Sequence, residues 1–442
     1  MPYIPHTEQD REAMLAAIGA ETIDALFREI PEDLRLRREL NLASGMDEHK
    51  LFAHLKGLAD QNVSAVTHDW YLGAGLYDRF IPASVGAVIS RGEFLTSYTP
   101  YQPEFSQGYL QTIYEFQTMI AELFGMDLAN ASMYDASTAM AEAAILATGV
   151  TGRERIVVSQ AVHPHYRQVL GTYAWAGSLQ VVEAPVLASG LTDDLSMVDE
   201  TTAAVIVQSP NFFGLIEGLD AVREAARRAG AMFVVVSDPV ANALLRPPGD
   251  FDADVVVGEG QPMGVAMGFG GPLVGLFACK QEYVRRIPGR IVGRTRDAQG
   301  RPGYAMTLRT REQDIRREKA TSNICTNEAL MALASTVYMS ALGKNGLRSV
   351  ATSTVRNTQY AMSRLGEVGR LRYGGRVFGE FVLDLPRPAA EVRDRLLGEG
   401  IMAGLPLGDY YSGMENSLLV ACTEVRTKAG IDRFAERLRA AL

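Results

Sequence analysis

Three short apolar runs within fifty residues constrain this chain more than any other feature. Between Ala231 and Lys280 it reads AMFVVVSDPVANALLRPPGDFDADVVVGEGQPMGVAMGFGGPLVGLFACK. The run Ala231–Val236 is β-branched and aromatic and ends at Ser237-Asp238. Ala253–Val257 breaks into Gly258-Glu259-Gly260-Gln261, and Leu273–Ala278 follows the turn Gly268-Phe269-Gly270-Gly271-Pro272. Apolar runs bounded by turn residues, without polar–apolar alternation, are the pattern of parallel strands buried on both faces. Such a sheet needs helices over it, which makes the chain α/β. Asp238 falls just past the carboxyl end of its strand, where open α/β sheets place their ligands.

The bulk properties exclude several classes. The chain is 47% hydrophobic and 21% charged, ordinary for a globular protein with a sizeable core. A net charge of −9 argues against nucleic acid as a partner. Cys279, Cys325 and Cys422 are odd in number and far apart, matching neither a disulfide framework nor a metal-ligand spacing. The start, MPYIPHTEQDREAM, has no basic segment followed by an apolar one, so no signal peptide is expected. No stretch approaches the ~18 apolar residues of a membrane span. A cytoplasmic protein without a membrane partner is the simplest expectation.

Taken in order, the first eighty or so residues read as helical. Thr7 is placed to cap a helix stopped by Gly19, Leu26, Phe27 and Ile30 form a patch before Pro31, and Asp47 opens a helix with Leu51, Leu55 and Leu58 on one face. From Trp70 to Gln111 proline and tyrosine break the periodicity, and Tyr98, Tyr101 and Phe105 crowd a proline-containing loop. A helix over Tyr109–Phe124 precedes an Ala-rich one that Asp135, Ser137 or Thr138 can cap. Strands are expected at Arg155–Ser159, Leu179–Ala184 and Ala203–Gln208, with a helix over Ala221–Ala229 capped by Asp220. Strand, helix and strand then alternate as in right-handed βαβ units. Arg285–Gly303 is basic and Gly-rich, and reads as a solvated loop or as a lip facing an anion. A helix over Asn327–Leu342 ends near Gly343 and Gly346. The C-terminal region alternates again: a strand over Val377–Leu385, a helix over Ala390–Leu397, a strand over Ser417–Cys422 and a last helix capped by Thr427. Glu380 and Asp384 share one face of their strand and read as solvated residues.

The spacing around Asp238 resembles the large domain of pyridoxal-phosphate (PLP) enzymes of fold type I, the aspartate-aminotransferase-like class. The resemblance implies that Asp238 faces the pyridinium nitrogen, that His163 lies where a ring stacks on the pyridine, and that the helix after Asp135 lies where the phosphate is held. It also demands a Schiff-base lysine after the next strand. The lysines are Lys50, Lys56, Lys280, Lys319, Lys344 and Lys428, and Gln261 stands where that lysine is expected. A glutamine amide cannot form an imine. The nearest substitute, Lys280, lies beyond a further apolar run.

Three longer stretches resemble a particular family. GAGLYDRFIP, the run from Glu93 to Gln111, and TREQDIRREKATSNICTNEALMA from Thr310 to Ala332 are similar to the N-terminal half of the glycine cleavage system P-protein, and occur in the family's order. In many bacteria that half is a separate subunit. The resemblance implies a PLP-type fold without the cofactor lysine, carried instead by a homologous subunit. It implies an oxidoreductase subunit (glycine dehydrogenase, aminomethyl-transferring): glycine is decarboxylated on PLP and the aminomethyl group passes to the lipoyl arm of the H-protein. Implied partners are the lysine-bearing P-protein subunit 2, most simply in an α2β2 assembly, the lipoylated H-protein and glycine. PLP would be bound covalently by the partner and not by this chain, and the isolated chain would be inactive. Tyr98, Tyr101, Gln102, Ser106 and Gln107 would wall the partner's site, whereas His163, Asp238 and Gln261 would mark a vestigial pocket. No metal and no covalent catalytic residue is expected. The chain then divides into a helical N-terminal segment (1–85), a lysine-less PLP-transferase-like large domain (86–325), and a bridging helix with a small α+β domain (326–442). Two other readings stay open: a scaffold or docking subunit without a catalytic role, and a self-sufficient PLP decarboxylase or aminotransferase with a displaced lysine.

Overall fold

The computed structural model describes residues 5–186, 188–192 and 194–442, so the first four residues of the N-terminal stretch read above lie outside it. It comprises two compact units, Met1–Val63 and Ser64–Leu442. In the first unit, α1 (Glu8–Ile18) begins in a capping box: Thr7 accepts from the Asp10 N–H and Asp10 accepts from the Thr7 N–H. Gly19 closes it at φ 70°. Asp47 caps α2 (Glu48–Ala59) through the Lys50 N–H. Neither helix buries a side chain, and Leu51, Leu55 and Leu58 are all exposed.

The second unit is built on a seven-stranded sheet: β1 (Leu128–Ala129), β2 (Arg155–Ser159), β3 (Gln180–Ala184), β4 (Thr202–Ser209), β5 (Met232–Ser237), β6 (Val255–Glu259) and β7 (Gly275–Cys279), in the spatial order β1-β7-β6-β5-β4-β2-β3. Strands β2 to β6 pair in parallel. Strand β7 is antiparallel to both neighbours, unlike the parallel strand expected from Leu273–Ala278. A parallel pair needs a crossover, usually a helix, and Gly260–Val274 contains none, so the chain turns back at the carboxyl edge. Helices α3 (Gln107–Phe124), α4 (Ala136–Thr151), α5 (Pro164–Gly177) and α6 (Leu219–Ala229) pack against the sheet. Strand β5 shows why it is apolar throughout. Phe233 and Val235 enter the core with Phe116, Ile120 and Phe124 of α3, while Val234 and Val236 enter the opposite core with Ala139 and Ala143 of α4. Asp220 does not cap α6 as expected: it sits in the first turn, behind an N-cap at Gly218.

Two further expectations are corrected. Much of Arg285–Gly303 is not a solvated loop but the start of a hairpin, β8 (Ile291–Arg296) and β9 (Pro302–Thr307), turned at Asp297, whose carboxylate accepts from the Gln299 and Arg301 N–H groups. The helix from residue 327 does not stop at Gly343. Gly343 breaks it (φ 60°, ψ −175°), and helix resumes to give α7 (Ala329–Leu365). Beyond α7, β10 (Arg370–Leu371), β11 (Glu380–Asp384), β12 (Leu405–Pro406) and β13 (Ser417–Ala421) form an antiparallel sheet in the order β10-β11-β13-β12. Helices α8 (Ala389–Leu397) and α9 (Lys428–Ala441) share its core through Val392, Leu396, Phe434 and Leu438. Asp69–Trp70 pairs in parallel with Ile401–Met402, and this ties down the chain just before the glycine-containing loop 72–80.

Candidate functional site

The pocket at the carboxyl ends of β5 and β6 is where the sequence directs attention; Asp238 lines it, while Gln261 and His163 stand behind its lining, bonded to Tyr77 and stacked on Tyr166 respectively. Asp238 follows β5 and accepts from the Val240 and Ala241 N–H groups at 2.7 and 3.2 Å. Burial pushes its carboxyl upward, against the pull of Arg79. Gln261, two residues past β6, is 2% exposed. Its amide oxygen accepts from the Tyr77 N–H at 2.9 Å, and its amide nitrogen donates to the carbonyls of Tyr77 (3.1 Å) and Val265 (2.8 Å). The Gln261 side chain is therefore a clasp on loop 72–80. His163, just before α5, is neutral: burial lowers its pKa to about 4. Its Nδ1 accepts from the His165 N–H, so Nε2 carries the proton and donates to the Ala74 carbonyl at 2.8 Å.

The chain's own side chains crowd this pocket. The face of His163 is stacked on Tyr166, with centroids 4.4 Å apart and planes 15° apart, so the ring it could offer a pyridine is already covered. At the N-terminus of α4, Glu259 accepts from the Ala136 N–H at 3.1 Å and Asp135 from the Thr138 N–H at 2.8 Å. Two carboxyl groups thus hold amides of the helix end that would cradle a phosphate. Burial pushes Glu259 up to about 8 against its three backbone N–H donors. Glu380 of β11, read from the sequence as solvated, is 5% exposed, accepts from the Ala74 N–H and the Tyr77 hydroxyl, and is pushed up to about 7 by burial. The correction has a simple cause: loop 72–80 covers that face of β11. A Cβ on Gly73 would lie 2.5 Å from the Glu380 carboxyl and from Ala421 Cβ, so glycine permits this approach. What remains between Gly75, Tyr77, Tyr166, Asp238, Glu259 and Glu380 is about 40 Å³. That suits a water or two and not a pyridine ring with its phosphate. PLP does not fit this pocket as folded.

Lys280 is no substitute nucleophile. It follows β7 at the amino edge of the parallel strands, the edge opposite Asp238, and pairs with Asp254 (2.7 Å) and Asp252 (2.9 Å). Burial favours its neutral form, but the two carboxylates outweigh that and hold it protonated. Among the described residues no His, Cys, Asp or Glu cluster is arranged for a metal, and no helix is long and apolar enough to cross a membrane.

The second candidate region, residues 98–107, lies on the surface. Tyr98, Tyr101, Gln102 and Gln107 are exposed and Ser106 is half-buried at the start of α3. The Gln107 side chain is engaged in the fold: its amide accepts from the Tyr304 N–H and donates to the Tyr304 carbonyl, as a strand neighbour to β9 would. Tyr101 is held by Arg290, at the foot of the hairpin, which donates to its hydroxyl at 3.1 Å. Sequence reasoning did not single out Glu259, Tyr77 or Tyr166, although Glu259 and Tyr77 lie inside the quoted stretches, and it met Arg290 only as one arginine of the basic run read as a loop or an anion-facing lip.

Three comparisons bear on these features. Over residues 1–438 the chain matches the family described as glycine cleavage system P-protein. It is 50% identical over 440 residues to the probable glycine dehydrogenase (decarboxylating) subunit 1 of Geobacillus sp. (strain WCH70), covering 99% of this chain and 98% of that protein. The protein of the same name from Halalkalibacterium halodurans is 49% identical over 440 residues, with the same coverage. Among solved structures, a glycine decarboxylase (P-protein) of the glycine cleavage system in inhibitor-bound form is similar over the whole of both chains, with a TM-score of 0.92 at 43% identity. A sphingosine-1-phosphate lyase from Burkholderia pseudomallei, at 15% identity and a TM-score of 0.65 over 93% of each chain, shares the fold.

Proposed function

The chain belongs to the glycine cleavage system P-protein family, and from that premise we infer how it serves glycine decarboxylation. As a subunit of a heteromeric glycine dehydrogenase (decarboxylating), it leaves PLP to a homologous lysine-bearing partner and completes the site there. The observation that carries this reading is the pocket itself. Gln261 clasps Tyr77, Tyr166 stacks on His163 and Glu259 holds the first N–H of α4, which supports reading this pocket as one that has no room for a cofactor ring and phosphate. What this chain offers a partner is instead on its surface, where Tyr98 and Tyr101 project from a loop fixed to the hairpin and α3. An α2β2 assembly in the cytoplasm, acting with a lipoylated H-protein, is the arrangement this reading supports.

The test is exchange of labelled carbon dioxide into glycine by this chain, by the lysine-bearing subunit, and by both with H-protein. Exchange is expected only from the pair. Full exchange by the partner alone would reduce this chain to a scaffold. Within the pair, Tyr98→Phe or Tyr101→Phe should lower turnover about tenfold, the worth of one hydrogen bond near 1.4 kcal/mol, with assembly intact. Wild-type turnover in both variants would remove the loop from the site.

A further inference from the structure

Arg290 is 4% exposed, yet no carboxylate among the described residues lies within ion-pair distance of it. Its charge is met by neutral oxygens. One terminal nitrogen donates to Thr99 Oγ1 (3.2 Å), Thr326 Oγ1 (2.8 Å) and Asn327 Oδ1 (3.3 Å), the other to the Cys325 carbonyl (2.9 Å) and the Tyr101 hydroxyl (3.1 Å). Its buried Nε donates to no group among the described residues. A second guanidinium, Arg309, lies 5.7 Å from the Tyr101 ring centroid and is paired with Glu312 and Asp314.

The bond to Tyr101 has a directional consequence. A phenol has one proton, and its oxygen here accepts from Arg290, so that proton must go elsewhere. Among the described residues the Tyr101 hydroxyl donates to no group. Beside it lies a cavity of about 490 Å³ lined by Tyr101, Arg290, Arg317 and the carboxyl residues Glu312, Asp314 and Glu318. Arg309 pairs with Asp314 at 3.0 Å and more loosely with Glu312 at 3.7 Å, and Arg290 acts on the Glu312 carboxyl only through space, with no carboxylate among the described residues in direct contact with it.

We infer that Arg290 is a positioning residue for the site this loop walls: by donating to Tyr101 it leaves the phenolic proton for an oxyanion in the cavity, a carboxylate or a phosphate ester. This rests on the reading of residues 98–107 as a wall of the partner's site. The guanidinium serves both as the clamp that fixes the ring and as the charge that favours an anion beyond it.

The test uses the assembled two-subunit enzyme with Arg290→Gln, Tyr101→Phe, their double variant, and Thr326→Val. The last removes a bond to the same guanidinium without touching Tyr101. Each of the first two is expected to lower exchange about tenfold, with the double variant no worse than either, because both break one unit. Thr326→Val should stay near wild type. If the oxyanion is the substrate carboxylate, KM for glycine rises in both single variants while PLP is retained on dilution. If it is the cofactor phosphate, PLP leaves faster, followed by absorbance, and KM at saturating PLP is unchanged. Either pattern supports the inference. Additive losses, an equal loss in Thr326→Val, or wild-type kinetics in Arg290→Gln beside an impaired Tyr101→Phe would overturn it alone. Full activity in Tyr101→Phe would overturn this inference, and full activity in Tyr98→Phe as well would overturn the wall reading with it. Should Arg290→Gln fail to assemble, Arg290→Lys carries the same test, since one ammonium cannot serve both Tyr101 and the Cys325–Asn327 segment.

Discussion

Glu259 and Glu380 hold protons that free carboxyl groups release, because burial in the closed pocket raises them to about 8 and about 7. Between the ordinary carboxyl range and those values the folded chain binds more protons than the unfolded one, so stability must fall as pH rises through that window. Glu380→Gln should flatten the fall. The urea midpoint of the wild type is expected to drop between pH 5.5 and pH 8.5, by the equivalent of about 1–3 kcal/mol, and that of the variant by less. An equal drop in both would show that Glu380 does not titrate in this window. Gln261→Ala should cost on the order of 1–3 kcal/mol by stranding the Tyr77 and Val265 backbone groups, yet leave exchange by the assembled enzyme largely unchanged. Lost exchange with assembly intact would mean that the pocket matters to chemistry. The places of Asp238 and Gln261 at the carboxyl edge of the sheet were legible because the first directly follows β5 and the second lies two residues past β6. Tyr77, Tyr166 and Glu380 were not, because they meet only when residues some three hundred apart in the chain fold together. Glu380 was misread because alternation along a strand says which residues share a face and not what covers it.

At the scale of elements, the buried strands and their bounding turns were readable from apolar runs, since a strand covered on both faces has no polar side. The direction of β7 was not, because it depends on the connection before it and not on the strand. The hairpin β8–β9 was hidden by its arginines, which suit an exposed strand as well as a loop. The break in α7 was visible as Gly343, but a glycine does not reveal that helix resumes beyond it. Helices α1 and α2 were clear from their caps, and what they do is less local. Both are well capped and neither buries a side chain, so their apolar faces need a surface to cover them. We expect the lysine-bearing subunit to be that surface. Removing residues 1–63 should leave Ser64–Leu442 folded by circular dichroism but abolish the two-subunit species in native mass spectrometry. Assembly at wild-type affinity would show that this unit has another role.

For the whole molecule, a fold that elsewhere holds PLP here encloses a pocket filled by its own tyrosines and carboxyl groups, with its exposed tyrosines set on a separate surface loop. We propose that such a chain leaves the cofactor to its partner and keeps the architecture. The most direct measurement is the visible spectrum of the purified chain with added PLP, followed by borohydride reduction, intact mass and peptide mapping. No aldimine band and no adduct at a defined buried lysine are expected. A reducible band with one cofactor fixed to one buried lysine would contradict the filled pocket and make this chain a PLP enzyme in its own right.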